Sequence, residues 1–173
     1  MVDGCGRFMK AFKDGEKPRW ISLLGEVGTG KTHCANRMWG RMERKYEWHN
    51  FRYFHEKIYW PAMVQDLRSA EQGDGNWQRF IEMRSWPVLF LDDIGAERDN
   101  TGFASEQLNT ILGCRVGKWT IITSNLLLDQ LAKIDPRIAD RIIREPGNEF
   151  VELNCESYGL KKQLNILDHG QIL

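Results

Sequence analysis

Residues 25–32 read Gly25-Glu26-Val27-Gly28-Thr29-Gly30-Lys31-Thr32, which is a glycine, four free positions and then Gly-Lys-Thr. The apolar run at residues 20–24 comes directly before this stretch and predicts a strand, and residues 32–46 have the composition of a helix. A strand, a glycine-rich loop and a helix in this order are typical of a phosphate-binding loop. The stretch therefore predicts an α/β fold that binds a nucleotide.

The residue types of this loop indicate what it would do. Glycines let the backbone fold around an anion, so that successive N–H groups and the first helical turn point at the phosphates. Lys31 supplies a mobile cation for the β- and γ-phosphates of ATP, and the Thr32 hydroxyl is a hard oxygen ligand suited to Mg²⁺. We expect residues 25–33, including His33, to bind the nucleotide, with Lys31 also serving catalysis.

The composition of the 173-residue chain favours one domain, with a core over residues 8–160 and a weakly patterned tail at 161–173. The 24 basic and 24 acidic side chains balance, so a nucleic-acid partner would need a local basic patch. The four cysteines show no CxxC pair and no metal-ligand spacing with the four histidines, which favours reduced thiols. Neither a signal peptide nor an apolar membrane span is evident, so we predict a cytoplasmic protein.

Strands alternate with helices along the rest of the chain. The predicted strands are residues 50–55, 88–91, 119–123 and 150–153, and the predicted helices are 62–71, 77–84, 103–112, 126–132 and 137–144. Gly113 is predicted to stop the helix before it, and Asp135-Pro136 to start the last helix. This alternation predicts a three-layer αβα sandwich around a five-stranded parallel sheet, with little or no C-terminal lid.

Polar residues follow two of the predicted strands. Asp92 and Asp93 come after a run that is apolar throughout, so they would lie at the carboxyl edge of the sheet, where ligands of parallel sheets bind. We expect Asp92 to hold Mg²⁺ together with Thr32, and Asp93 to polarise the attacking water. Asn125 follows the next strand and could position that water. A simple kinase would not need Asp93, so the second acid favours hydrolysis.

Three arginines on the last helix, Arg137, Arg141 and Arg144, recur at spacings of four and three and therefore share one face. Only Asp140 and Glu145 are acidic neighbours in the sequence, so we expect a row of unneutralised arginines. Such an arginine can stabilise the charge that develops on a transferring phosphate.

Four segments, residues 25–33, 90–97, 122–126 and 137–141, together resemble the AAA+ ATPase core of bacterial and phage replicative helicase loaders, the DnaC/IstB-like group. The resemblance covers roughly residues 8–160. It implies ATP hydrolysis with Mg²⁺, a homo-oligomer, single-stranded DNA and a replicative helicase as partner.

The resemblance also assigns roles to single residues. Asp92 aligns with the metal-associated acid, Asp93 with the catalytic acid, Asn125 with the sensor, and Arg141 with the arginine finger that enters a neighbouring subunit's site. Asp93 is a departure from the pattern, because glutamate is commonest at this position in AAA+ proteins.

A stretch after the second predicted strand interleaves cations and aromatic rings, as single-strand channels do. The candidate DNA contacts there are Arg52, Lys57, Tyr59 and Trp60, and Lys45 and Arg41 extend the set. The alternative is that the aromatic rings of this stretch pack in the core. The adenine ring has its natural place near residues 8–12, before the first strand.

Alternatives to a helicase loader stay open at this point. A transposase-helper ATPase would have the same fold and motifs. A small-molecule kinase would act as a monomer without an arginine from a neighbour, and a non-hydrolysing nucleotide switch would bind ATP without turnover.

Overall fold

The structure, a computed structural model, describes residues 2–45, 55–74, 77–144 and 147–153. In chain order its helices and strands are α1 (Val2–Asp14), β1 (Trp20–Gly25), α2 (Lys31–Lys45), β2 (His55–Tyr59), α3 (Trp60–Glu71), α4 (Gln78–Met83), β3 (Val88–Asp92), α5 (Phe103–Cys114), β4 (Trp119–Ser124), α6 (Leu128–Ile134), α7 (Pro136–Arg144) and β5 (Glu149–Leu153).

The five strands form one parallel sheet in the order β2-β3-β4-β1-β5. Trp20 pairs with Thr120, and Val88 pairs with Trp119, so the carboxyl ends of β1, β3 and β4 come to the same edge. The loop after β1 therefore lies beside the acids after β3 and the polar residues after β4. The predicted parallel sheet and fold class are confirmed.

The three central strands, β1, β3 and β4, are buried on both faces, because helices cover the sheet on two sides. Ile21 and Leu23 belong to the core cluster shared with α1 and α2, whereas Trp20 and Leu24 belong to the cluster shared with α3 to α7. Side chains alternate along a strand, so this division is the one that a two-sided sheet requires. Among the described helices, none has both the length and the apolar composition that crossing a bilayer would require.

The second strand differs from its prediction. β2 is His55–Tyr59, so of the predicted strand at 50–55 only residue 55 is in it, and residues 50–54 lie outside the described part of the chain. Aromatic and alternating residues occur on both sides of residue 55, and the pattern alone did not locate the strand. The shift matters because it moves residues 57–59 from a loop into the sheet.

The N-terminal helix α1 was not predicted. Its Phe8 and Phe12 are buried and meet the Trp119 ring edge to face, with ring centroids 5.3 and 5.2 Å apart. The expectation that residues 8–12 lie against adenine is therefore wrong, since both rings are core residues. The predicted stop at Gly113 is wrong as well, because α5 runs through it to Cys114.

Arg115 lies in the core at the amino-terminal edge of the sheet. Its side chain is fully buried and donates hydrogen bonds to Thr120 Oγ1 at 3.1 Å and to the carbonyl oxygens of Met83 at 3.3 Å, Trp119 at 2.7 Å and Trp86. Desolvation lowers the pKa of Arg115 to about 9, so the guanidinium still carries its charge at neutral pH. Carbonyl dipoles thus join α4 and the start of β4 through a buried cation.

Candidate functional site

The loop between β1 and α2 needs glycine at three positions. Gly28 and Gly30 have φ of 82° and 86°, a region that side chains disfavour. Gly25 has φ of 134°, and a Cβ there would strike the backbone carbonyl oxygen of Leu153 on β5. These glycines therefore shape the turn that the sequence motif predicts.

Lys31 begins α2 and is almost fully buried. Its Nζ donates to the Glu26 carbonyl oxygen at 2.6 Å and to Thr29 Oγ1 at 3.2 Å, and the Thr29 hydroxyl donates to the same carbonyl at 2.9 Å. The loop thus folds its own backbone around the ammonium group. The cation is in place at the turn where phosphates are expected to bind.

Asp92 ends β3 and is buried beside the start of α2. Its Oδ1 accepts hydrogen bonds from the hydroxyls of Thr32 at 3.1 Å and Thr123 at 2.7 Å. A threonine hydroxyl and a carboxylate are hard oxygen donors, and Mg²⁺ in phosphate sites takes few protein ligands and keeps several waters. Thr32 and Asp92 therefore fit Mg²⁺, which would neutralise phosphate charge at this point.

Asp93 has a strained backbone, with φ of 64°, which few residues other than glycine adopt. Its N–H donates to Thr123 Oγ1 at 2.9 Å, and its Oδ1 accepts from Asn125 Nδ2 at 2.5 Å. Desolvation raises the pKa of Asp93, the Asp92 charge raises it further, and Lys31 opposes both. A carboxyl tuned in this way is typical of catalytic acids and bases.

These groups surround one open cavity of about 370 Å³. The residues that line it are Val27, Gly28, Gly30, Lys31, Thr32, His33, Tyr59, Asp92, Asp93 and Asn125. Of the predicted nucleotide-binding residues, Gly25, Glu26 and Thr29 support the loop instead of lining the cavity. The structure thus brings the predicted loop, both acids and Asn125 together, and their individual roles stay predictions.

Arg141 lies elsewhere, in a second open cavity of about 310 Å³ formed by residues of α7. The two cavities share no lining residue. Arg141 is half-buried, and its Nε donates to Asn109 Oδ1 of α5 at 2.8 Å. Arg141 is therefore not among the residues that surround the phosphate loop in its own chain.

The expected row of unneutralised arginines on α7 is wrong for two of its three members. Arg137 pairs with Asp135, with Nη2 and Oδ2 2.8 Å apart, and Arg144 pairs with Asp140, with Nε and Oδ1 2.6 Å apart. Asp135 also accepts from the Arg137 N–H, as the predicted start of α7 requires, and Arg137 lowers its pKa. Sequence neighbours therefore neutralise both ends of the row.

The candidate DNA contacts need correction. Trp60 is fully buried at the start of α3, and its Nε1 donates to Glu97 Oε1 at 3.0 Å, so it is no stacking platform for bases. Tyr59 is half exposed and lines the nucleotide cavity. Arg52 lies outside the described residues.

Lys57, another candidate DNA contact, lies beside Asp92. Its Nζ lies 3.3 Å from Asp92 Oδ2, donates to Asn36 Oδ1 of α2 at 2.9 Å, and sits 5.0 Å from the centroid of the Phe90 ring. Strand register explains this, because Lys57 pairs with Phe90 on the neighbouring strand, and Asp92 follows Phe90 on the same face.

Sequence reasoning missed two further members of the site. Thr123 bonds to both acids, and Ser124 donates to the Ile94 carbonyl oxygen at 2.6 Å, which fixes the turn after β3. The sequence did contain a sign of both residues, because Thr-Ser-Asn forms a polar end on an apolar strand, but only Asn125 was assigned a role. The hydroxyls support the acids from the adjacent strand.

Comparison with known proteins gives a consistent picture. A family described as IstB-like ATP binding protein matches residues 12–166. The replicative helicase loader DnaI of Bacillus subtilis (strain 168) is 28% identical over 126 residues, which cover 72% of this chain and 39% of DnaI. The uncharacterized protein YqaM of the same organism is 29% identical over 135 residues, 74% of this chain and 41% of YqaM. The chain spans about two fifths of the length of these relatives.

Solved structures share the fold. A crystal structure of the DnaC helicase loader matches with a TM-score of 0.65 at 22% identity, over 84% of this chain and 86% of that chain. The replication initiator DnaA bound to AMPPCP and single-stranded DNA matches with a TM-score of 0.65 at 20% identity, over 94% and 50% of the two chains. At these identities the likeness establishes the fold.

The parallel sheet, the glycine loop with its buried lysine and the acids at the end of β3 define a P-loop ATP-binding domain of the AAA+ class. Within that class, the chain belongs to the family of IstB-like ATP-binding proteins. The resemblance stated from the motifs is confirmed.

Asp93→Asn should raise the stability of the fold and lower ATP turnover. A carboxyl whose pKa is raised by folding binds its proton more tightly in the folded state, so its ionisation lowers stability as pH rises through that pKa. Asparagine stays neutral and tolerates positive φ. We expect Tm at pH 7 to rise, because the neutral amide avoids both the desolvation of a charge and the repulsion by Asp92. We expect ATP turnover to fall at least ~100-fold.

Thermal melts at pH 7 and pH 4 check this prediction, with Asp66→Asn on the exposed surface of α3 as the control. The gain in Tm should shrink at pH 4, where wild-type Asp93 is itself protonated to a greater extent. A lower Tm for Asp93→Asn at pH 7 would contradict the assigned strain and repulsion.

Lys57→Met should make Mg²⁺ bind more readily. The ammonium group places a positive charge at Asp92 Oδ2, and this charge repels a divalent cation. We expect the Mg²⁺ concentration for half-maximal binding of a fluorescent ATP analogue to fall about fivefold, which is ~1 kcal/mol of Coulomb repulsion. Lys17→Met, at an exposed position, is the matched control. An unchanged Mg²⁺ requirement in Lys57→Met would show that the ammonium does not act on the metal-binding acid.

Proposed function

We propose that this chain is an ATPase that works in the cytoplasm as a homo-oligomer and loads or remodels a replicative helicase on single-stranded DNA. The hydrogen bond between Asn125 and Asp93 carries the hydrolytic part of the proposal. It holds an amide and a carboxyl of raised pKa side by side in the nucleotide cavity, where a water can be both oriented and polarised. A pair that orients and polarises a water favours hydrolysis over transfer to a second substrate.

The separation of the two cavities supports an active site shared between subunits. The phosphate loop and the acids line one cavity, and Arg141 lines the other. An arginine that completes a phosphoryl-transfer site from a neighbour must lie on the surface and away from its own loop. Arg141 is half-buried, lines the cavity on α7 and lines no part of the nucleotide cavity, which supports this assignment.

Helicase loading is supported by the relatives. DnaI is described as a replicative helicase loader, and the matching DnaC structure is described in the same terms. Transposition helpers of the IstB type remain the second candidate, because the matching family carries that name. Capture of a purified replicative helicase by this chain in the presence of ATP distinguishes the two.

ATP turnover measured against protein concentration tests the shared site. We expect the rate per subunit to rise with concentration, Lys31→Ala to lose nucleotide affinity, and Arg141→Ala to lose turnover by about 10³-fold or more while it still binds ATP. Lys133→Ala, an exposed lysine on the neighbouring helix α6, is the control and should behave as wild type. A rate per subunit that is independent of concentration and unaffected by Arg141→Ala would refute the shared site.

Single-stranded DNA is expected to bind the outer face of α2. Arg37, Arg41 and Arg44 are exposed there at spacings of four and three, so they share a face. We expect the triple alanine variant to lower affinity for oligothymidylate more than tenfold and to reduce the slope of log K against log salt by about 2, as the loss of three phosphate contacts predicts.

The control for the DNA measurement removes the same net charge from exposed lysines elsewhere, namely Lys10, Lys17 and Lys133. Both triple variants lose three positive charges, so a general field effect would weaken DNA binding equally in the two. Equal losses would therefore exclude α2 as the DNA-binding face.

A further inference from the structure

Asn109 is an unusual residue for its position. It lies in the middle of α5, is buried, and faces α7, which packs against α5. Asparagine is a poor helix former, and a buried amide is costly unless it is hydrogen-bonded. Its Oδ1 accepts from Arg141 Nε at 2.8 Å, so the contact with Arg141 accounts for a polar group at this site.

Gly113 lies one helical turn after Asn109 and leaves the space that the Arg141 guanidinium occupies. A Cβ at this position would lie 3.2 Å from both Nη1 and Nη2 of Arg141. Any side chain there would push the guanidinium outward by a few tenths of an ångström. Asn109 and Gly113 thus form an acceptor and a flat surface on the same face of α5, which we call the arginine seat.

The seat leaves the charge of Arg141 available. Arg137 and Arg144 form salt bridges with Asp135 and Asp140, whereas the Nε of Arg141 donates to a neutral amide. A carboxylate at position 109 would fix the side chain equally well but would neutralise it. A neutral acceptor fixes the direction of the guanidinium without neutralising it, and the charge of Arg141 adds to the lowering of the Asp135 pKa that Arg137 mainly causes.

We propose that Asn109 is a positioning residue for Arg141, and that the arginine seat orders the guanidinium before it enters the neighbouring subunit's ATP site. The inference rests on the proposed role of Arg141 as the finger. An ordered arginine loses less side-chain entropy when it meets the phosphate, so the seat acts on turnover. ATP binding to the chain's own loop does not involve it.

Asn109→Leu tests the seat, since leucine has the same branched shape and number of side-chain heavy atoms but no acceptor. At saturating ATP we expect kcat to fall about tenfold with KM for ATP unchanged, because the seat lies outside the nucleotide cavity.

Mixing Asn109→Leu subunits with Asp93→Asn subunits gives the decisive measurement. Asp93→Asn subunits cannot hydrolyse ATP but carry an intact finger, so an equimolar mixture should recover about a quarter of the wild-type rate per subunit, one junction in four being complete.

A second pair of variants tests the seat independently, in case Asn109→Leu does not fold. Gly113→Ala and Gly40→Ala both replace a helical glycine and both gain helix propensity, but a Cβ at Gly40 meets nothing within 4 Å. We expect kcat to fall about threefold in Gly113→Ala and to stay at the wild-type value in Gly40→Ala.

The outcomes distinguish the seat from the finger. Loss of turnover in Arg141→Ala together with wild-type kcat in Asn109→Leu and Gly113→Ala would overturn the seat alone. A loss in Asn109→Leu that the Asp93→Asn mixture does not restore would also overturn it, because such a loss would lie in the subunit's own site. Full turnover in Arg141→Ala would remove the finger, and the seat with it.

Discussion

One carboxylate oxygen, Asp92 Oδ1, determines how the site is built. It accepts from hydroxyls on α2 and on β4, so the helix after the phosphate loop, the acid strand and the next strand meet at a single atom. A hydrogen bond to a charged group contributes about 1.5–3 kcal/mol, and an unsatisfied buried carboxylate costs more than that. The strand ends are therefore held in register around a preformed site, and its chemistry depends on that register.

The next residue has the opposite character. Asp93 has a strained backbone, a raised pKa and an amide as partner, and it sits beside a charge of the same sign. The hydroxyl of Thr123 links the two acids, because it donates to Asp92 and accepts from the Asp93 N–H. The two neighbouring acids therefore have different surroundings: two hydroxyls hold Asp92, whereas Asp93 faces a neutral amide and has a raised pKa.

The sequence was sufficient wherever the sheet alone decided the geometry. Parallel strands end at one edge, so the loop, Asp92, Asp93 and Asn125 could be placed together from their positions after strands. It was insufficient wherever a contact depended on a distant element. Because β2 is His55–Tyr59, Lys57 lies in the sheet close to Asp92, and Trp60, which follows the strand, is a core residue. The packing of α7 on α5 likewise explains why a residue without a side chain is needed at Gly113. Such contacts leave no periodic pattern.

The way in which charge is distributed over this chain, which has no net charge, is consistent with the proposed homo-oligomer. Acids and the phosphate loop line one cavity, whereas three arginines and Asp140 line the other, so each chain presents two different surfaces. In the proposed homo-oligomer, two such surfaces would join head to tail, which leads to rings or open helical assemblies instead of closed dimers. Under the proposed assembly, ATP placed between the two surfaces is what makes them complementary, since its phosphates meet the finger of the next subunit. Hydrolysis would then weaken the same junction that it requires.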